Sequence, residues 1–352
     1  MTRDEAIRAI HKASRLEGLD WRGLDLSGVR FAGLAMENVR LDGANLENAN
    51  LREAILMSCS FVGTVFRGAS LHQTISHRCD FTEASFVGAN LTASQFHGGI
   101  LDRIDLSGSE LLLSQLANCS LVGARVGTAH AERVLFAKCA TSGLDLRGSH
   151  LEKVIFFSGD FSSSPMDGAS FDKVVFHDSA FTGVDLRGRE FTICGFLGAD
   201  FTGADLTGAR LEKCNFIGAK LPAVELDDVY APNALFVEAT LTDASLQNAK
   251  LHQAIFEDAD LSRATLQRAD LRQTSFKRAT CVGALFDGAD LGEADLSHAD
   301  LRSASFMGAS MYRTRLHCAR EEKTKYGSGR AVALGTDEAL ARAELFQATT
   351  HE

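Results

Sequence analysis

Proline, tryptophan and tyrosine are scarce in this chain, at 3, 1 and 3 of 352 residues, while Phe reaches 23 and Gly 31. That mix does not suit the two or three ordinary globular domains its length would suggest. Hydrophobic residues make up 45% and charged ones 23%, which excludes disorder and collagen-like structure. No apolar run nears the roughly 20 residues of a membrane helix, and the first residues, MTRDEAIRAIHK, hold no secretory segment. A cytoplasmic protein with no membrane partner is expected, although export by a signal-less machine stays compatible with this. An excess of positive charge is also missing. With 36 basic and 46 acidic residues the net charge is −10, so no nucleic acid partner is expected. Neither a P-loop nor a Ser–His–Asp grouping is present, so an enzyme is not expected, nor is a cofactor.

What the chain does contain is a period of five. From Trp21 to Leu316 every fifth residue falls on one register, and 50 of these 60 positions are Leu or Phe, the exceptions including Ser76, Ala131, Thr141, Ala231 and Cys281. Of the 23 Phe, only Phe157 and Phe346 fall off this register. A second register, two residues earlier, is small (Ala, Ser, Cys, Thr, Gly or Val) at 54 of 60 places. Gly, Asn and charged residues crowd the position two after the large one. Helices and half-buried strands do not have this period. If each pentad is a short extended side ending in a tight turn, four pentads close a square coil of 20 residues. The large and small residues then point inward, and residues twenty apart stack at about 4.8 Å. Fifteen such coils would span roughly 70 Å.

The units Ala44-Asn45-Leu46-Glu47-Asn48, Ala199-Asp200-Phe201-Thr202-Gly203 and Ala204-Asp205-Leu206-Thr207-Gly208 resemble the A(D/N)LXX consensus of pentapeptide-repeat proteins. The resemblance implies an all-β fold, a right-handed quadrilateral parallel β-helix. It implies no activity, because the family is a scaffold class.

Three regions are expected: a capping helix in 1–16, the β-helix over 17–318, and a linker and helix in 319–352. In the first, Thr2 and Glu5 have capping-box spacing, and Ala6, Ile7 and Ile10 form an apolar stripe. In the last, a helix from about Thr336 to Gln347 would present Leu340, Leu345 and Phe346 to the end of the solenoid or to a second copy. Arg189 stands in the small inward register and is expected to turn out toward Asp185 or Glu190, deforming its corner. Weak inward residues near Val126, Ala131 and Thr141, and at Tyr230-Ala231-Pro232, are the expected places for a bulge or bend.

Six cysteines (Cys59, Cys79, Cys119, Cys139, Cys194, Cys214) fall in stacked inward pairs and read as reduced small fillers. His130 and His150 stack on an outward column beside Glu132, Glu152 and Asp172, a set able to hold a divalent metal. A solvated mixed-charge face is the expected reading, with no metal.

One outward face differs from the rest. Its inward column is a Phe ladder from Phe136 to Phe276, and its flanks hold Ile55, Met57, Ile75, Leu135, Ile155, Phe157, Val175, Leu197, Ile217, Leu235, Val237 and Ile255. So many aliphatic side chains on one face indicate a protein interface, with a partner or in a homodimer. The expected function is a non-enzymatic scaffold or adaptor. The N-terminal helix followed by Leu19-Asp20-Trp21-Arg22-Gly23 is similar to pentapeptide-repeat accessories of bacterial type VI secretion. The alternative is DNA mimicry against a type II topoisomerase (gyrase), as in family members linked to quinolone resistance. Duplex DNA carries one charge per about 1.7 Å, or roughly 40 over 70 Å. A net −10 falls short of that, although Asp258, Asp260, Asp270, Asp287, Asp290, Asp295 and Asp300 gather toward the C-terminal end.

Overall fold

The computed structural model describes residues 2–345, which form two compact units, one up to Ala180 and one from Phe181 onward. Both are built as right-handed quadrilateral parallel β-helices. The pentad around Leu46 shows why the repeat has its composition. Asn45 N–H donates to Leu24 of the previous coil at 2.9 Å, and Leu46 and Asn48 N–H donate to Val65 and Arg67 of the next at 2.7 and 2.8 Å. Ala44 N–H closes the turn onto Leu41 at 2.9 Å. The remaining amide, Glu47 N–H, is taken by the Asn45 side chain at 3.0 Å. Every backbone donor of the unit is therefore satisfied, and the Asp or Asn before each large residue is explained as the acceptor for the one amide the coil cannot use. Pro222 and Pro232 occupy that same slot, where a missing N–H costs no ladder bond.

The corner residue, two after the large one, is left-handed at nearly every corner, as in Gly203 at φ +65° and Asn48 at φ +55°. Gly and Asn take that conformation with little strain. Ile193 takes it too, at φ +53°, with a β-branched side chain that is 48% exposed. Ile193→Asn should therefore stabilise the protein by about 1 kcal/mol, read as a higher urea midpoint with an unchanged slope. A lower midpoint would show that the Ile193 side chain contributes more than its backbone costs.

In the first unit the register of twenty holds residue by residue. Phe156 pairs with Phe136 and Phe176, and the rings stack at 4.6 and 5.3 Å with interplanar angles of 10° and 6°. A nine-stranded parallel sheet from Arg15–Glu17 to Val175–His177 forms one face. The corner after Val126 is irregular, as expected: Gly127 takes the left-handed turn at φ +53°, one residue early. There a Cβ would collide with Ser107 Oγ. In the second unit Phe196, Phe216, Phe236, Phe256 and Phe276 stack at 4.8 to 5.0 Å.

Two expected distortions are corrected. The corner at Tyr230–Pro232 is regular, with Ala231 N–H donating to Lys250 at 2.8 Å, because Pro232 sits in the permissive slot. The backbone also passes Arg189 without interruption, since Arg189 N–H bonds Leu186 at 3.1 Å and Arg210 N–H bonds Arg189 at 2.8 Å. The Arg189 side chain is half-buried, and its charge assists the Arg187 hydrogen bond in holding the Asp185 carboxyl down to about 2.

Both solenoid ends are covered. Helix α1 (Arg3–Lys12) carries the Thr2–Glu5 capping box and buries Ala6 and Ile10. Its Arg3 Nη1 donates to the Asp25 carbonyl and carboxylate, and Nη2 to the Ser27 carbonyl, so it occupies acceptors that the first coil leaves open. At the C-terminal end, pairing continues past Cys318. Lys325–Tyr326 adds to Ser305–Phe306, and Leu334 accepts from Leu316 N–H at 2.7 Å. Helix α2 (Glu338–Glu344) follows, capped by Asp337 and shorter than the sequence suggests. Thr336, where the sequence places the helix start, accepts from Cys318 N–H instead.

Candidate functional site

Along each side of the coil the residues flanking the large one point outward, because side chains alternate across extended backbone. On the nine-stranded face this places Leu135, Ile155 and Val175 in one outward row and Ala137, Phe157 and His177 in the other. Phe157 is 40% exposed and its ring lies 5.0 Å from that of His177. Ile55 and Met57 are also exposed, with Ile75 half-buried next to Ile55. The structure does not join these two groups. Gln95 and Gln115 stand between Ile75 and Leu135 in one row, and His77 and His97 follow Met57 in the other. In the second unit Leu197, Ile217, Leu235, Val237 and Ile255 are all half-buried on the face over the Phe196–Phe256 ladder. Within the first unit the apolar stripe is thus two separate patches.

The acidic residues near the C-terminal end have local partners. Asp258 pairs with Arg278, Asp270 with Arg272 and Asp300 with Arg302, at 2.6, 2.7 and 2.6 Å. Asp290 lies 3.8 Å from Arg272, and Asp295 sits between Lys277 and Arg315 at 3.6 and 3.5 Å. Asp260 accepts from Ser262, and Asp287 from Ser305 and Met307 N–H. The hydrogen bond from Arg272 holds the Asp270 carboxyl below the usual carboxylate range.

The six paired cysteines are free and buried. Cys59 N–H donates to Cys79 Sγ at 3.4 Å, and burial pushes the Cys214 thiol up to about 12. His130 and His150 stack with ring centroids 6.2 Å apart, but His150 Nδ1 is engaged by Ser170 Oγ at 2.6 Å. Among the described residues they do not gather into a group of three potential metal ligands.

A group that sequence reasoning missed lies at the other end of the chain. His298 Nε2 and His317 Nε2 are 3.2 and 3.1 Å from one oxygen of Glu344 in α2. Cys318 Sγ is 3.5 Å from His317 Nε2. The two histidines are nineteen residues apart, not twenty, and Glu344 comes from outside the repeat, so the column arithmetic does not bring them together. Leu340 and Leu345 are 48% and 82% exposed, so neither is buried against the coil. Phe346 lies outside the described residues.

Two family profiles match the sequence. One, described as a pentapeptide repeat region, matches residues 209–286; the other, pentapeptide repeats (8 copies), matches 36–73, 77–108 and 284–320. Between them they take in more than half of the chain. The chain belongs to the pentapeptide-repeat family.

Pentapeptide-repeat proteins are in general structural or interaction proteins, not enzymes. Solved structures similar to this chain include HetL of the cyanobacterium Nostoc sp. strain PCC 7120, a protein involved in heterocyst differentiation regulation. It is 20% identical over 72% of this chain and 100% of its own, with a TM-score of 0.22. Full-length QnrB1, a plasmid-mediated fluoroquinolone resistance protein, is 16% identical over 76% of this chain and 96% of its own, with a TM-score of 0.20. Rfr23 of the cyanobacterium Cyanothece 51142 is 19% identical over 42% and 91%, at 0.19. None of the curated protein sequences matches. In this pentapeptide-repeat chain the family's Asp/Asn preference has the hydrogen-bonding cause seen at Asn45.

Proposed function

We propose that this pentapeptide-repeat protein is a non-enzymatic scaffold that docks a protein through apolar patches on its sheet faces. The observation that carries the reading is Phe157, an exposed aromatic on a parallel sheet, with Ile155 on the same strand and Leu135 and Val175 flanking Ile155 in the adjacent row. Aromatic anchors among aliphatic neighbours are typical centres of protein interfaces. The partner is a protein with a complementary apolar surface; self-association through Leu340 of α2 and Leu345 at its end is the homodimeric form of the proposal. An adaptor role in bacterial type VI secretion is its finer form, and a reducing cytoplasm suits the eight free thiols. DNA mimicry of a gyrase-binding type is less favoured. Asp258, Asp270, Asp290, Asp295 and Asp300 are each within 4.0 Å of a cation of this chain, which offsets the field that a duplex substitute must present.

Phe157→Asp combined with Ile155→Asp should leave the melting temperature within a few degrees. It should weaken association, with itself or a captured protein, by about 100-fold or more. Sedimentation velocity and quantitative pull-down of both forms check this; identical behaviour removes the first-unit patch from the proposal.

A further inference from the structure

We propose that His298, His317 and Glu344 form a site for a zinc-like divalent cation that fastens α2 to the last coil, with the Cys318 thiol, next to His317, closing in as a fourth donor when the ion binds. The ligand atoms of His298, His317 and Glu344 lie within 4.8 Å of one another. Two imidazoles, a carboxylate and a thiol are donors of the borderline class that zinc selects. Around a tetrahedral ion with zinc-like bond lengths, nitrogen and oxygen ligands stand about 3.3 Å apart, and nitrogen and sulfur about 3.6 Å. The separations found, 3.1 and 3.2 Å to Glu344 and 3.5 Å from His317 to Cys318, are close to those values. The imidazole planes cross at 82°, so the two rings approach the carboxylate from different directions.

Access and charge both permit loading. His317 is 8% exposed in its side chain, but His298 and Glu344 are 42% and 38% exposed, so the site opens on one side. That opening is a groove lined also by Lys277, Arg315, Leu334 and Leu340. Lys277 and Arg315 both pair with Asp295, which moderates their repulsion of an incoming cation.

Binding must rearrange both hydrogen bonds of His317. Asp337 N–H donates to His317 Nδ1 at 3.1 Å, so the ring proton sits on Nε2, facing Glu344. Coordination through Nε2 moves that proton to Nδ1, ends the Asp337 contact, and shifts the start of α2. Cys318 releases its thiol proton to solvent, so a doubly charged ion meets one thiolate and one carboxylate and the site becomes neutral.

The test uses the full chain, stripped with chelator and titrated with Co²⁺ and then Zn²⁺. Cobalt should bind at one equivalent with visible bands of tetrahedral geometry and a sulfur charge-transfer band. His298→Ala and Glu344→Gln should each weaken binding by about 100-fold or more, whereas His130→Ala should not change it. Zinc should also speed hydrogen exchange at the Asp337 amide. Because His298 and Glu344 are partly exposed, both variants should keep the wild-type circular dichroism and melting transition without metal. Absence of stoichiometric binding, or equal binding by wild type and His298→Ala, would leave the cluster as a hydrogen-bonded latch only and overturn the proposal.

Discussion

Removing residues 199–218 as a block should leave a folded, cooperatively melting protein, whereas removing Gly203 alone should abolish the native transition. Every ladder bond in the second unit joins a residue to a position one coil away, as with Phe196 N–H to Asn215 and Phe216 N–H to Leu235. Excising twenty residues joins Gly198 to Ala219 with the phase intact, and Phe196 then stacks on Phe236 in place of Phe216. The loss is one repeat and its neighbour interactions, which repeat proteins shed nearly additively. Excising one residue moves every later side chain by one place. Asp205, Arg210 and Lys220 would then enter the small inward register, and Thr207 and Glu212 the large one. Each unpaired charge carried inside costs several kcal/mol, more in sum than the roughly 5–15 kcal/mol that holds a domain together. The alternative is a four-residue corner without its left-handed residue and without the Gly203 N–H bond to Pro222. Circular dichroism and thermal melts of the two deletions decide the matter. A near-native melt for the Gly203 deletion would mean that corners absorb length changes and that twenty is not the unit of the fold.

Phe216→Ala should destabilise the protein by about 3–5 kcal/mol, the largest effect expected from a single side-chain truncation on the ladder. Phe216 is fully buried, and its ring lies 4.9 Å from Phe196, 5.0 Å from Phe236 and 5.8 Å from Phe201. Coils held at strand spacing by backbone bonds on every side cannot collapse into the space, so the cavity persists. Phe157→Ala, at the exposed Phe off the register, should change stability by less than about 1 kcal/mol. Urea unfolding of the two variants gives the comparison. A cost below about 1 kcal/mol for Phe216→Ala would mean that ring stacking contributes little and the backbone ladder alone carries the solenoid.

The periodic part of this protein was legible in its sequence, because a five-residue unit with large and small inward positions leaves few ways to satisfy the backbone. Stacking of Phe156 on Phe136 and Phe176, the left-handed corners and the α1 capping box all follow from local spacing. So does the pairing of Asp258 with Arg278, which stand twenty apart. Other features were in the same columns but needed every member of the row to be read: Gln95 and Gln115 break the apolar stripe as firmly as Ile155 and Val175 make it. Pro232 looked like a defect until the backbone bonds showed which amide the coil leaves unused.

Where the repeat ends, spacing loses its force. The meeting of His298 and His317 with Glu344 depends on where a short non-repetitive segment turns back, and on an offset of nineteen that no column contains. The sequence by itself determined the coil, its core and its period, since these rest on neighbours at a fixed distance along the chain. Only the tertiary structure decided which side chains meet at the C-terminal end, since contacts there come from a chain direction that no local spacing sets.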